Sequence, residues 1–185
     1  MFTKLPSLEH AKNLKGKRVL LRLDLNVPLK GSRVIDGYRI KRALPTIKFL
    51  KSQGAKTIII SHIQSNEGKS LSLRPVANYL NKKMNVGFYP KLESRDLPSI
   101  VSTMKHGGVM MLENLRKDVG ETKNDINFAK RLAALGDIYV NDAFSVSHRD
   151  HASVVQLPKL LPSYAGFLFE DEVSHLSRAL RPSHP

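Results

Sequence analysis

The sequence predicts an α/β fold in which helices cover both faces of a mainly parallel sheet of about six strands. Apolar runs without alternation, such as Val19 to Leu23 and Lys56 to Ser61, are typical of strands buried on both faces. Segments with helical spacing of apolar residues lie between these runs, which favours parallel strands joined by crossover helices. The predicted architecture is therefore a three-layer α/β/α, Rossmann-like domain.

The first strand ends abruptly on polar residues. Asp24 and Asn26 follow its apolar run, and Pro28 prevents further ladder pairing. On their own, Asp24 and Asn26 could simply cap a turn. Ligands of open α/β sheets bind outside the carboxyl ends of the strands, so the same two residues are candidates for a binding crevice.

The other elements are predicted from the spacing of apolar residues and from the positions of proline and glycine. Pro45 lies inside a predicted helix and should kink or divide it, and Gly54 is placed as that helix's stop. The polar segments 30–38, 63–72 and 145–155 are predicted loops. Strands are predicted at 56–61, 85–89, 108–112 and 137–140, and helices at 38–52, 73–80, 97–104, 125–135 and 169–180.

Composition limits the class of protein. A chain of 185 residues, 41% of them hydrophobic, is sufficient for one core. It has no cysteine, which excludes disulfides and thiolate metal sites, and no signal-peptide core near Met1. Its apolar runs are far shorter than the roughly 20 residues that a membrane helix needs. We expect a soluble, cytoplasmic protein without membrane contact, and a monomer.

The chain is strongly basic. It has 30 Lys and Arg against 16 Asp and Glu, a formal charge of +14, which predicts attraction to anions. Nucleic acid, an acidic surface and small phosphorylated substrates all fit that charge. The basic residues are scattered, and no nucleic-acid-binding motif accompanies the five Tyr and seven Phe, so base recognition is not indicated.

Several side chains with binding or proton-transfer chemistry are expected at the carboxyl edge of the sheet. Arginine guanidinium groups match phosphate and carboxylate in bidentate geometry, and histidines can act as acids, bases or ligands. A metal site is not predicted, because no cluster has zinc-ligand spacing. No Gly-rich phosphate loop and no Ser or Cys nucleophile motif is present, so positioning and charge stabilisation, as in phosphoryl transfer, suit this edge best. The candidates are Asp24, Asn26, Arg39, His62, Arg116, Asn141, His148, Arg149 and His151.

Seven ordered motifs resemble those of the phosphoglycerate kinase family. They run from about residue 18 to 170 in the family's order and spacing. The motifs are Arg22-Leu23-Asp24-Leu25-Asn26-Val27-Pro28, Arg39-Ile40 with Leu44-Pro45-Thr46-Ile47, Ser61-His62, Ser72-Leu73-Arg74-Pro75-Val76-Ala77, Leu112-Glu113-Asn114-Leu115-Arg116, Val140-Asn141-Asp142-Ala143-Phe144, and His148-Arg149-Asp150-His151-Ala152-Ser153.

The resemblance implies the amino-terminal half of such a glycolytic kinase, with a phosphoglycerate-binding domain at 1–170 and an interdomain helix and linker start at 171–185. The carboxyl-terminal nucleotide-binding domain is absent, and MgATP or MgADP would bind there, so no cofactor is expected in this chain. This half would bind 3-phosphoglycerate or 1,3-bisphosphoglycerate, and alone it would not be catalytic.

The resemblance also implies roles for individual residues. Asp24 and Asn26 would contact the glycerate. Arg39 would be catalytic, supporting the transferring phosphoryl group as well as binding substrate. The substrate's carboxylate and phosphate end would be held by His62, Arg116 and Arg149.

One position departs from the family pattern. Ser65 stands where the family usually has a substrate-binding arginine. Losing one charged hydrogen-bonding partner costs roughly 1.5 to 3 kcal/mol. Lys69 or Arg74, which lie nearby in sequence, are candidates for a compensating charge.

Two other functions stay open at this stage. A basic α/β module could bind a polyanion, although nucleic acid is the less favoured partner. Alternatively, the last helix could dock a separate nucleotide-binding chain, which would make this an interaction domain.

Overall fold

The computed structural model describes residues 6–180. In this part of the chain, six parallel strands form one sheet in the order β5-β6-β4-β1-β7-β8, and β2 and β3 form a separate antiparallel hairpin. The sheet strands are β1 (Arg18–Leu23), β4 (Lys56–Ile60), β5 (Gly87–Tyr89), β6 (Val109–Leu112), β7 (Ile138–Asp142) and β8 (Ser163–Ala165).

Helices connect the strands on both faces. The helices are α1 (Tyr38–Ser52), α2 (Arg74–Asn81), α3 (Leu97–Ser102), α4 (Val119–Thr122), α5 (Ile126–Ala133), α6 (Ala152–Val155), α7 (Leu157–Leu160) and α8 (Phe167–Leu180), with 3-10 turns at Leu8–His10, Leu115–Lys117 and Phe144–Val146. The predicted three-layer α/β/α architecture is confirmed.

Alternation along β1 divides the core into two layers. Leu21 packs with residues of α1 and α2 on one face, whereas Leu20 packs with residues of α3 and α5 on the other. Since side chains alternate across a strand, Arg22 points to the same face as Leu20. The strand predicted to be buried on both faces therefore carries one charge into the second layer, where Arg22 is completely buried.

Helix α1 is not divided by its proline. Pro45 lies inside a continuous helix whose buried face includes Ala43, Ile47 and Leu50. Packing of this face on the sheet compensates for the backbone hydrogen bond that proline cannot donate. Of the two predicted outcomes, division of the helix is wrong.

Two segments predicted to be loops contain short elements. Segment 30–38 includes part of the hairpin of β2 (Leu29–Lys30) and β3 (Arg33–Val34), which turns at Gly31 with φ +58°. Segment 145–155 contains α6 and the end of a 3-10 turn. The hairpin strands and α6 show no hydrophobic period of their own, so the sequence pattern missed them.

The chain ends of the described region differ slightly from expectation. Helix α8 begins at Phe167, two residues before the predicted start, and the predicted linker at 182–185 lies outside the described residues. Phe167 stacks edge-on against Phe49 at 5.1 Å between ring centroids, which anchors α8 on α1. No helix between residues 6 and 180 is long and apolar enough to cross a membrane.

Candidate functional site at the carboxyl edge of the sheet

The parallel register brings the polar strand ends to one edge. Leu23 of β1 lies beside Asp142 of β7, and Arg22 lies beside Ile60 of β4. Asp24 and His62 therefore leave the sheet next to each other, although 38 positions separate them in sequence.

Asp24 forms a three-way contact that holds Arg39. Its carboxylate accepts hydrogen bonds from the Arg39 guanidinium, the Ser145 hydroxyl and, at 3.0 Å, the backbone N–H of Asn26. Arg39 stays 47% exposed at the start of α1, whereas Asp24 is nearly covered. The carboxylate is thus used to position a guanidinium that still faces solvent. Ser145 was not among the residues predicted for the site.

Asn26 positions the loop that follows β4. Its Oδ1 accepts the backbone N–H of Gln64 at 3.0 Å, and the Gln64 side chain accepts a hydrogen bond from Arg116. Asn114 closes the same loop by donating to the carbonyls of Ile63 at 2.6 Å and Leu71 at 2.8 Å. The two asparagines and Gln64 thereby fix the loop against Arg116.

Arg116 has unused hydrogen-bonding capacity. Its Nε and Nη2 are buried without a hydrogen-bond partner in the described residues. Burial, and then the charges of Arg149 and Arg22, lower the pKa of Arg116 to about 10, although Glu121 acts in the opposite direction. A cation held beside other cations with free donors is suited to receive an anion.

His62 is almost completely buried, with 3% of its surface exposed. Its Nδ1 lies 3.2 Å from Nη2 of Arg22. Burial, and then the charges of Arg22, Arg116 and Arg149, lower the pKa of His62 to about 2. The ring is therefore neutral at physiological pH.

Arg22 belongs to a buried polar cluster that was not predicted from the sequence. Its Nε donates to the Ser153 hydroxyl at 3.0 Å, and that hydroxyl donates to the buried carboxylate of Glu121 at 2.6 Å. The Tyr139 hydroxyl donates to the Ser153 carbonyl at 2.7 Å. The charge of Arg22 inside an otherwise apolar strand was the available signal. Glu121 gave none, and the motif that contains Ser153 did not indicate that its side chain is buried.

Arg149 lies on the exposed turn after β7. Its backbone N–H donates to the carbonyl of Val146 at 3.0 Å, which closes that turn. Its guanidinium is exposed and close enough to lower the pKa of both His62 and Arg116. Arg149, His62 and Arg116 are therefore brought together as one group.

The other predicted residues lie in more varied places. Asn141 is nearly buried in β7, and its side chain accepts the N–H of Ala143 at 3.1 Å. His148 is exposed, and Nδ1 of His151 lies 3.9 Å from the Glu121 carboxylate. Within residues 6–180, no cluster of three or more His, Asp or Glu side chains could hold a metal ion.

The loop with the unusual serine is a compact turn. The Ser65 hydroxyl accepts the backbone N–H of Lys69 at 3.2 Å. The Lys69 ammonium pairs with Glu67 at 2.8 Å, and the Arg74 guanidinium lies 4.7 Å from the centroid of the Phe88 ring. Both cations have other partners, so a compensating role for Lys69 or Arg74 stays a prediction.

Comparison with known proteins identifies the family. The sequence model of the family "Phosphoglycerate kinase" matches residues 9–185. A phosphoglycerate kinase of Methylorubrum extorquens is 45% identical over 97% of this chain and 46% of its own length, and one of a Wolbachia symbiont of Drosophila simulans is 47% identical over 95% of this chain and 45% of its own.

Solved structures agree with the sequence matches. Phosphoglycerate kinase from Coxiella burnetii superposes with a TM-score of 0.85 at 39% identity, covering 98% of this chain and 46% of that one. The enzyme from Pyrococcus horikoshii gives a TM-score of 0.89 at 32% identity, covering 98% and 47%. The chain spans about half the length of the relatives it matches, and that half is the amino-terminal part. From these matches and its fold, the chain belongs to the phosphoglycerate kinase family.

Proposed function

We propose that this chain is the phosphoglycerate-binding half of a phosphoglycerate kinase and that the carboxyl edge of its sheet binds 3-phosphoglycerate or 1,3-bisphosphoglycerate. The observation that carries the proposal is the Arg116 guanidinium, whose Nε and Nη2 are buried without a hydrogen-bond partner among residues 6–180, near His62 and Arg149. Buried donors of this kind are costly unless a ligand satisfies them. A small ligand with carboxylate and phosphate oxygens supplies the acceptors.

The remaining residues have separate roles in this proposal. Arg39, which is held by Asp24 and still exposed, supports the transferring phosphoryl group. Asp24 and Asn26 border the glycerate, while His62, Arg116 and Arg149 hold the carboxylate and phosphate end. MgATP or MgADP would bind to a carboxyl-terminal domain, which is the second partner of this half.

An amide NMR titration of the 185-residue chain with 3-phosphoglycerate tests the proposal. Shifts should cluster at residues 24–26, Arg39, His62, Arg116 and Arg149, and they should persist at moderate salt, because a compact ligand makes few ionic contacts. Glycerol 3-phosphate, which lacks the carboxylate, is the matched control ligand and should bind more weakly. Diffuse shifts over the basic surface, or no shifts, would contradict a substrate site.

A further inference from the structure

His62 and Arg22 share a buried hydrogen bond. Arg22 lies completely buried behind this ring, with Nη2 3.2 Å from Nδ1 of the imidazole. The other guanidinium nitrogens also have partners, because Nε donates to Ser153 and Nη1 donates to the carbonyl of Leu23. Arg22 is therefore held in one orientation.

The chemistry of the two groups permits one arrangement of protons. A guanidinium has five donors and no acceptor, so Nδ1 of His62 must be the acceptor in this contact. A neutral imidazole that accepts at Nδ1 carries its proton on Nε2. A doubly protonated ring would place an N–H against the N–H of Arg22 and bury a second positive charge beside the first.

The charged groups around the ring act in the same sense. Arg116, Arg149 and His151 all disfavour a positive charge on His62, as Arg22 does. The buried carboxylate of Glu121 is engaged by the hydroxyl and the backbone N–H of Ser153, at 2.6 and 3.0 Å. The Glu121 carboxylate is thereby occupied by Ser153, and it makes no hydrogen bond to the imidazole within residues 6–180.

We propose that Arg22 is a positioning residue that fixes His62 as a neutral imidazole with its proton on Nε2, so that the carboxyl edge presents an uncharged, oriented donor. Nε2 makes no hydrogen bond within residues 6–180, and it is not among the fully buried polar atoms without partners. It is therefore available to an acceptor oxygen of a ligand. That this ligand is phosphoglycerate rests on the proposed function, whereas the tautomer does not.

In this arrangement two kinds of donor would recognise an anion. Arg116 and Arg149 are positively charged donors, whereas His62 is a neutral donor with a fixed orientation. The low pKa of His62 supports this division, because the ring then stays neutral at physiological pH. Ser153 accepts a hydrogen bond from Nε of Arg22 and donates one to Glu121, so both residues help to keep Arg22 in place.

Nitrogen-15 spectra of the histidine side chains in the ligand-free chain test the tautomer directly. Between about pH 5 and 8, where an ordinary histidine titrates, His62 should show a pyrrole-like Nε2 and a pyridine-like Nδ1 that do not change. A protonated Nδ1, or titration of His62 in this range, would overturn the proposal. The exposed ring of His148 in the same spectra is the internal control.

Two variants test the part played by Arg22. Arg22→Lys keeps a side chain with donors only, and the His62 spectrum should stay as in the unaltered chain. Arg22→Met removes the donor, so His62 should become a mixture of both tautomers. The nitrogen-15 chemical shifts of Nδ1 and Nε2 should then approach each other. An unchanged His62 spectrum in Arg22→Met would contradict the positioning role.

Binding of 3-phosphoglycerate distinguishes this inference from the proposed function. A misdirected neutral hydrogen bond should weaken binding about 2- to 12-fold in Arg22→Met. Should Arg22→Met fail to fold, a protonated Nδ1 of His62 in the soluble Arg22→Lys variant would refute the role instead. An Nε2–H tautomer in a chain that does not bind 3-phosphoglycerate would uphold the inference while refuting the proposed function.

Discussion

Arg116 imposes a cost on the fold that the proposed ligand would offset. Its Nε and Nη2 are buried without a partner in the part of the chain that the structure describes, and burial and the nearby charges of Arg149 and Arg22 lower its pKa. Unpaired buried donors and repulsion between like charges destabilise a fold and are typical of functional sites. They are therefore better explained by a role in binding than by a role in stability.

Replacing Arg116 by methionine should separate these two effects. We expect 3-phosphoglycerate to bind about 10- to 150-fold more weakly, because charge-assisted hydrogen bonds contribute about 1.5 to 3 kcal/mol. The free energy of unfolding should fall by no more than about 1 kcal/mol, the contribution of the bond to Gln64. Calorimetric titration and urea unfolding measure the two quantities. Arg131→Met, which breaks an exposed pair with Asp118, is the control and should bind normally.

At the scale of single residues, the sequence indicated the residues that face the edge but not those behind them. Asp24, His62 and Arg116 follow strand ends, so topology alone placed them together. Glu121 and Ser153 lie in short helices, where no hydrophobic period distinguishes a buried carboxylate or hydroxyl from an exposed one, and the motif that contains Ser153 does not indicate its burial. Their contacts depend on packing between segments 32 positions apart in sequence.

Among the elements, the end of β6 controls how α2 begins. Glu113 is nearly buried there and accepts hydrogen bonds from the Ser72 hydroxyl at 2.9 Å, the Leu73 N–H at 2.8 Å and the Lys117 ammonium at 2.8 Å. Burial alone would raise the pKa of Glu113, but these hydrogen bonds, with one from Asn114, lower it below its ordinary value. The carboxylate must therefore be ionised for the contact to form fully.

Glu113→Gln should reduce the free energy of unfolding at neutral pH by about 1 to 3 kcal/mol, because an amide cannot accept from all of these donors. Since the folded pKa is lowered, the contribution of Glu113 is present above an ordinary pKa of about 4.3 and is lost as the pH falls below it. Denaturant unfolding should show that the difference in free energy of unfolding between Glu113→Gln and the unaltered chain becomes smaller in acid. A difference that does not change with pH would contradict this. The control Glu93→Gln, at an exposed position, should leave the free energy of unfolding unchanged.

Prediction of the elements succeeded where they were long. Helix α1 and strands β1 and β4 have enough residues to show a period or an unbroken apolar run, and their observed bounds agree closely with the predicted ones. The hairpin of β2 and β3, helix α6 and strand β8 are two to four residues long and were not located. Tertiary hydrogen bonds, rather than local pattern, define such short elements.

On the scale of the whole molecule, the proposed function implies binding without turnover. The chain spans about half of its relatives, and in-line phosphoryl transfer needs donor and acceptor held together. Val173 and Leu176 on α8 are exposed apolar side chains.

We expect the 185-residue chain to form no ADP above background when MgATP and 3-phosphoglycerate are supplied together. A coupled assay for ADP measures this, with a full-length phosphoglycerate kinase as the positive control. Because the chain should still bind 3-phosphoglycerate, absence of turnover with clear binding is the expected pair of results. Robust turnover would show that nucleotide binds to this half as well.

Strand β1 links the candidate site to the centre of the sheet. It pairs with β4 on one side and β7 on the other, over five residues each, and it carries Arg22 while leading directly into Asp24. Amides held between two neighbouring strands exchange with deuterium only through the largest openings of a protein. Local fraying therefore does not release Arg22 from the sheet. As long as the central strands stay paired, Arg22 keeps its place beside His62.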